Sequence, residues 1–167
     1  ILWTHELLKI AQKHKSTLIF FSSGEIYGNF NNQNILKINN ICLSNPLKLK
    51  SVYPDSKRLA ETMCMSWSHE YNVKTIVIRL FHTYGPFINI KDGRIFSMII
   101  DNLINKKIFT LNNLTNKRCF CYATDFLNAF LLILSQSKEN FMIYNLANIY
   151  QEFSIKELIN EIKKEFD

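Results

Sequence analysis

Residues 73–81 read VKTIVIRLF, and this stretch decides the fold. Its apolar residues run almost without a break, whereas a half-exposed strand would alternate apolar with polar. A run of this kind suits a strand buried on both faces, as strands of parallel sheets are. Toward the N-terminus, residues 16–23, STLIFFSS, form a second apolar run of strand length that ends in small polar residues. Between the two runs, from Asp55, the pattern turns helical: Leu59, Met63, Trp67 and Glu70 recur at helical spacing, with Ala60, Cys64 and Tyr71 alongside. Residues 4–14 read as another helix, with Leu7, Leu8 and Ala11 on one face and Lys9, Gln12 and Lys13 opposite. Strands separated by helices predict an α/β architecture with a mainly parallel sheet.

Downstream of HTYGP the chain loops, and RIFSMIIDNLINKK then reads as a helix. IFTLN and RCFCYA read as short strands, TDFLNAFLLILSQS as a helix with Thr124 or Asp125 as its N-cap, and MIYNLA as a strand. SIKELINEIKKEF is a helix opened by a capping box, Ser154 with Glu157. A long Asn-rich segment, YGNFNNQNILKINNICLSNPLKLK, is too polar and irregular to be a packed element. No internal repeat or low-complexity linker interrupts the order.

Composition narrows the class. The chain has 167 residues, 47% hydrophobic and 20% charged, enough for a real core. No apolar run approaches the roughly 18 residues a spanning helix needs, and no signal peptide opens the chain, so a soluble, cytoplasmic protein with no membrane partner is expected. The net charge of +6 is spread among Asn and Ile with no basic run, which points to a generally basic surface and not to a nucleic-acid site. Cys42, Cys64, Cys119 and Cys121 have neither CxxC nor Cys/His metal spacing. They read as reduced, mostly buried thiols, and no metal is expected.

In open α/β sheets ligands bind beyond the carboxyl ends of the strands. Ser22 and Ser23 end one strand; Phe81, His82 and Thr83 follow the other. In SVYPDSKRLAET, residues 51–62, Tyr53 and Lys57 stand four apart and share one helix face. An ammonium beside a phenol favours the phenolate, so such a tyrosine can act as a base toward a hydroxyl. Pro54 fits here because the first helical turn has no intrahelical use for its N–H. A hydroxyl at Ser23 could donate to the oxygen that Tyr53 deprotonates, and Glu25 follows two residues on. Taken singly, each feature is also what an ordinary surface helix or strand exit looks like.

Taken in order, Ser23, then YxxxK at Tyr53 and Lys57, then R-L-F-x-x-Y-G-P from Arg79, then R-x-F-x-Y-x-x-D from Arg118, the set resembles the NAD-dependent epimerase/dehydratase family. These are extended short-chain dehydrogenase/reductases that modify nucleotide sugars. The resemblance implies a partial Rossmann-like parallel sheet with helices over about residues 1–85, and mixed substrate-binding and returning Rossmann elements over about 86–167. It implies that Tyr53 removes a proton from a sugar hydroxyl while a hydride passes to NAD. Lys57 would hold the nicotinamide ribose, and Ser23 would hydrogen-bond the reacting oxygen. Phe81 would lie by the nicotinamide, and His82 and Arg118 would hold the diphosphate of a nucleotide sugar, a UDP-sugar first. A homodimer formed through the helices near 4–14 and 55–71 is also implied, with Leu59, Met63 and Trp67 as a candidate face.

Departures from the family pattern shape the expected reaction. No G-x-x-G-x-x-G turn for a cofactor pyrophosphate occurs in the sequence, and the chain has only four glycines. Turnover by the 167-residue chain alone is therefore not expected, and a non-catalytic remnant or binding module is the rival reading. His82 stands where an asparagine is common. Gly24 stands where 4,6-dehydratases carry an aspartic acid, which weakens dehydration. Glu25 matches a glutamate of dehydratases and of sugar-acid decarboxylases, leaving both epimerisation and decarboxylation open. Arg118 argues against a simple carbonyl reductase, whose substrate has no diphosphate to hold.

Overall fold

The computed structural model describes residues 1–28, 36–40, 44–107, 110–111 and 113–165. In chain order the elements are α1 (Leu2–His14), β1 (Leu18–Ser23), α2 (Val52–Tyr71), β2 (Thr75–Leu80), β3 (His82–Tyr84), α3 (Ile95–Ile104), β4 (Lys117–Tyr122), α4 (Ala123–Gln136), β5 (Phe141–Leu146), β6 (Glu152–Ser154) and α5 (Ile155–Lys164). Short 3-10 turns occupy Gly24–Tyr27 and Leu49–Ser51. Cys42 and most of the strand expected at IFTLN fall outside the described residues. The chain divides into two compact units: Ile1–Phe81 with Phe130–Leu146, and His82–Ala129 with Ala147–Asp167.

In the first unit, β1, β2 and β5 form a parallel sheet in that order, with Phe20 opposite Val77 and Val77 opposite Ile143. The apolar run of 73–81 does become the central strand, and residues 75–79 of β2 are all buried. α1 turns Thr4, Leu8 and Ala11 inward, an i, i+4, i+7 stripe, and leaves Leu7 outside the face expected for it. α2 buries Ala60, Glu61, Cys64 and Ser68. Met63 and Trp67 pack on Leu8, Ala11 and Val73 of their own unit, whereas Leu59 stays exposed. α1 and α2 end on Lys15 and Asn72 in left-handed conformation, with φ of 49° and 55°.

In the second unit, β3 pairs with β4 in parallel and β6 pairs with β4 antiparallel. β3 forms in the HTY stretch before the expected loop, where the sequence predicts no element, because its three residues find β4 as a partner. Ile99, Phe120 and Leu158 are the core, with Tyr84, Phe96 and Phe153 packed on it. The capping box of α5 is present: Ser154 Oγ accepts from Glu157 N–H, and Glu157 accepts from Ser154 N–H at 2.7 Å. α4 begins at Ala123, so Thr124 and Asp125 lie inside its first turn and neither is the N-cap. Among the described residues no helix is long and apolar enough to cross a membrane.

Candidate active site

β1 ends in two serines, and burial distinguishes them. Ser22 is 3% exposed and faces the interior, whereas Ser23 is half-buried and caps the 3-10 turn that follows. Ser23 Oγ accepts the N–H of Glu25 at 3.1 Å. That bond occupies a lone pair and leaves the hydroxyl proton available to a ligand oxygen. The Glu25 carboxylate belongs to an exposed residue of this turn. Gly24 sits between them where a Cβ would crowd the chain, standing 2.8 Å from the Phe81 ring and forcing it to shift. The same ring stacks with Tyr27 at 6.4 Å between centroids, so Phe81 is pinned on the turn that carries Ser23 and Glu25.

The second contribution comes from α2. Its first turn starts at Val52, three residues before the expected start, and carries Pro54 without losing a helical hydrogen bond. Tyr53 is 51% exposed. One turn on, Lys57 Nζ donates to the Phe21 carbonyl oxygen at 2.7 Å and stands 5.7 Å from the Tyr53 ring centre and 5.0 Å from that of Phe20. The bond of Leu18 N–H to the Lys74 carbonyl fixes the alternation of β1. It turns the Phe21 carbonyl away from β2, where the ammonium can reach it. Lys57 is thereby brought to the strand two residues from Ser23. Ser23, Glu25, Tyr53, Lys57 and Phe81 all belong to the first unit.

His82 and Arg118 belong to the second unit. The His82 ring lies 5.6 Å from that of Phe120, and the Arg118 guanidinium is exposed, with Nη1 donating to the Lys117 carbonyl at 2.9 Å. Asp125 accepts from Asn148 at 3.1 Å. Burial raises the Tyr84 phenol, and the charge of Asp125 adds to it.

A further cluster carries its own signal in the sequence. Arg79 interrupts the apolar run of β2, and Glu61 continues the helix face of Tyr53 and Lys57 one turn further. Inside the fold they meet: Arg79 Nη2 and Nε donate to Glu61 at 2.8 and 3.0 Å, with both side chains about nine-tenths buried. Arg79 Nη1 donates to the Tyr27 hydroxyl at 2.6 Å and to the Ile38 carbonyl at 2.9 Å. The Tyr27 hydroxyl donates to Asn145 Oδ1 at 2.7 Å, and Asn145 Nδ2 to the Leu36 carbonyl at 3.1 Å. Burial alone would pull the guanidinium down; the Glu61 carboxylate and Tyr27 more than offset it.

The family model for the NAD dependent epimerase/dehydratase family matches residues 1–147. The chain belongs to that family. It is 29% identical over 167 residues to UDP-glucuronic acid decarboxylase 3 of Arabidopsis thaliana, covering 98% of this chain and 47% of that protein. The chain thus spans about half the length of the curated relatives it matches. Among solved structures it resembles dTDP-glucose 4,6-dehydratase from Bacillus anthracis in complex with NAD, at a TM-score of 0.84 and 22% identity, over 98% of this chain and 50% of that one. UDP-glucuronic acid 4-epimerase from Bacillus cereus in complex with NAD gives 0.83 at 22% identity, over the same shares. These two likenesses establish the Rossmann-like fold that the alternation of strand and helix predicts.

Proposed function

We propose that the protein carrying this chain oxidises a UDP-sugar at C4 with NAD and that its substrate is a sugar acid, which it decarboxylates. The observation that supports this most directly is the arrangement of Tyr53 and Lys57 on one exposed turn, with Lys57 fastened to the strand that ends in Ser23. An ammonium has three donors. One is used on Phe21, and the two that remain suit the adjacent hydroxyls of a ribose. Tyr53, Lys57 and the pinned ring of Phe81 fit the nicotinamide-ribose half of NAD, and these residues would hold it. When bound, NAD supplies the acceptor for the hydride from C4 and, once CO2 has left, the donor that returns it to C4, so that a pentose and not a keto-pentose is released.

The residues of this chain handle the proton and the oxygen. Tyr53 takes the proton of the C4 hydroxyl while Ser23 donates its own to the same oxygen, steadying the charge as the carbonyl forms. A C4 ketone stands β to a carboxylate on C5, so the sugar acid can lose CO2 with the electron pair drawn into the ketone. Glu25 would manage the proton that this second step returns to carbon, and Tyr53 would give its own back to the C4 oxygen. Dehydration is disfavoured because Gly24 supplies no acidic side chain, and one placed there would have to displace the Phe81 ring. Curated relatives that match most of the chain, from Arabidopsis thaliana and Xenopus tropicalis, are named UDP-glucuronic acid decarboxylases, which supports the choice of substrate class. In the second unit His82 and Arg118 would hold the diphosphate, a natural task for a guanidinium.

The test is product analysis with UDP-glucuronic acid and NAD on the natural full-length protein. A UDP-pentose released with equimolar CO2 is expected, and Tyr53→Phe should abolish it. A UDP-hexuronic acid epimer without CO2 would overturn the decarboxylase reading in favour of an epimerase, and undiminished turnover by Tyr53→Phe would remove the site assignment.

A further inference from the structure

We infer that Arg79 is the positioning residue of this active site, holding its serine half and its tyrosine half to one strand; the inference rests on the site reading above. Arg79 lies at the carboxyl end of the central strand, opposite Ser22 on one side and Asn145 on the other. Its guanidinium reaches two residues that occupy matching places. Tyr27 ends the 3-10 turn that Ser23 caps, four residues after that serine. Glu61 follows Lys57 by four on the same face of α2. One planar group therefore sets the direction of the turn bearing the proposed donor and of the helix bearing the proposed base.

Stability alone does not account for this cluster. A buried ion pair is commonly no better for stability than well-packed apolar residues of similar volume. What apolar residues lack is a fixed angle and distance. The fork of Arg79 supplies both: two bonds to one carboxylate, one to the Tyr27 hydroxyl and one to the Ile38 carbonyl. Tyr27 passes the constraint to Asn145 on β5, so β2, β5, the turn that follows β1 and α2 are tied at one point. A charged guanidinium tolerates this burial because Glu61 neutralises it and its donors are met.

The experiment uses the natural full-length protein with NAD and its nucleotide-sugar substrate. Tyr27→Phe removes only the hydroxyl, and Glu61→Gln keeps the volume while removing the charge. Each should lower kcat by about tenfold to a hundredfold with KM for the sugar changed by less than about twofold, since misplacement by about an ångström is costly to chemistry and not to binding. The penalties should also be selective. Tyr27→Phe should cost little further once Ser23 is alanine, and Glu61→Gln little further once Lys57 is methionine, because each acts through that partner. Full penalties in those backgrounds would reduce the network to a structural role and overturn the inference. So would unchanged kcat in both single variants while Tyr53→Phe is inactive. Should Glu61→Gln fail to fold, Tyr27→Phe decides. Full activity in Tyr53→Phe would instead remove the site reading itself, an outcome separate from all of these.

Discussion

Single side chains decide what this site can and cannot do. Tyr53→Phe keeps the ring and removes the base, so activity should fall by roughly three orders of magnitude, within the range attributed to general bases, with folding intact by circular dichroism. Gly24→Asp offers the opposite test. Its Cβ must displace the Phe81 ring, and overpacking of this kind costs about 1–3 kcal/mol, measurable by urea denaturation. No dehydratase activity should appear in that variant. Cys64 provides a titration check. Burial, with the Glu61 charge adding, pushes its thiol up to about 12, so at pH 8 almost no thiolate exists and a disulfide reagent should modify Cys64 only on unfolding. That Tyr53 and Lys57 share one helix face was legible from their spacing of four. The Phe81–Gly24 contact was not, since residues 57 apart in the chain meet only once β1 and β2 pair.

At the level of elements, the strongest readings were those with long, regular patterns. β1, β2, β5 and the five helices were all anticipated, and the parallel sense followed from the nearly continuous apolar run of β2. β6 was missed because three residues are too few to show alternation, and β3 because its partner is more than 30 residues away. The face of α1 was placed one residue off: Leu7 and Leu8 are both apolar, and only the packing of α2 selects Leu8. The capping box of α5 was readable since both its halves are local. Ser154→Ala should destabilise the second unit by about 1 kcal/mol, seen as a lower urea midpoint. Its partner adds a pH dependence. Glu157 is held below the usual carboxylate range by the Ser154 backbone N–H first and its side chain second. The contribution is therefore present above the ordinary glutamate pKa and lost as pH falls through the depressed one; the Ser154→Ala difference should shrink in acid.

For the molecule as a whole, the surface of the first unit carries an unspent apolar stripe. Trp3, Leu7 and Ile10 of α1 recur at helical spacing and are 81%, 48% and 53% exposed. We propose that this face joins α2, whose Met63 and Trp67 are only partly buried, in the homodimer contact; Leu7→Glu should shift the natural protein from dimer to monomer in sedimentation. The isolated chain should show no tight NAD binding by calorimetry, because its sequence holds no Gly-rich turn for the pyrophosphate. The bond between Lys57 and the Phe21 carbonyl gives a further handle on the whole protein. Because that carbonyl is turned away from β2, its stretching frequency is sensitive to the lysine. A carbon-13 label at Phe21 would give one infrared band shifted when the ammonium is engaged and another when it is not. Following that band while cofactor is added would show how firmly the lysine is held before any substrate arrives, in a protein that need not turn over at all.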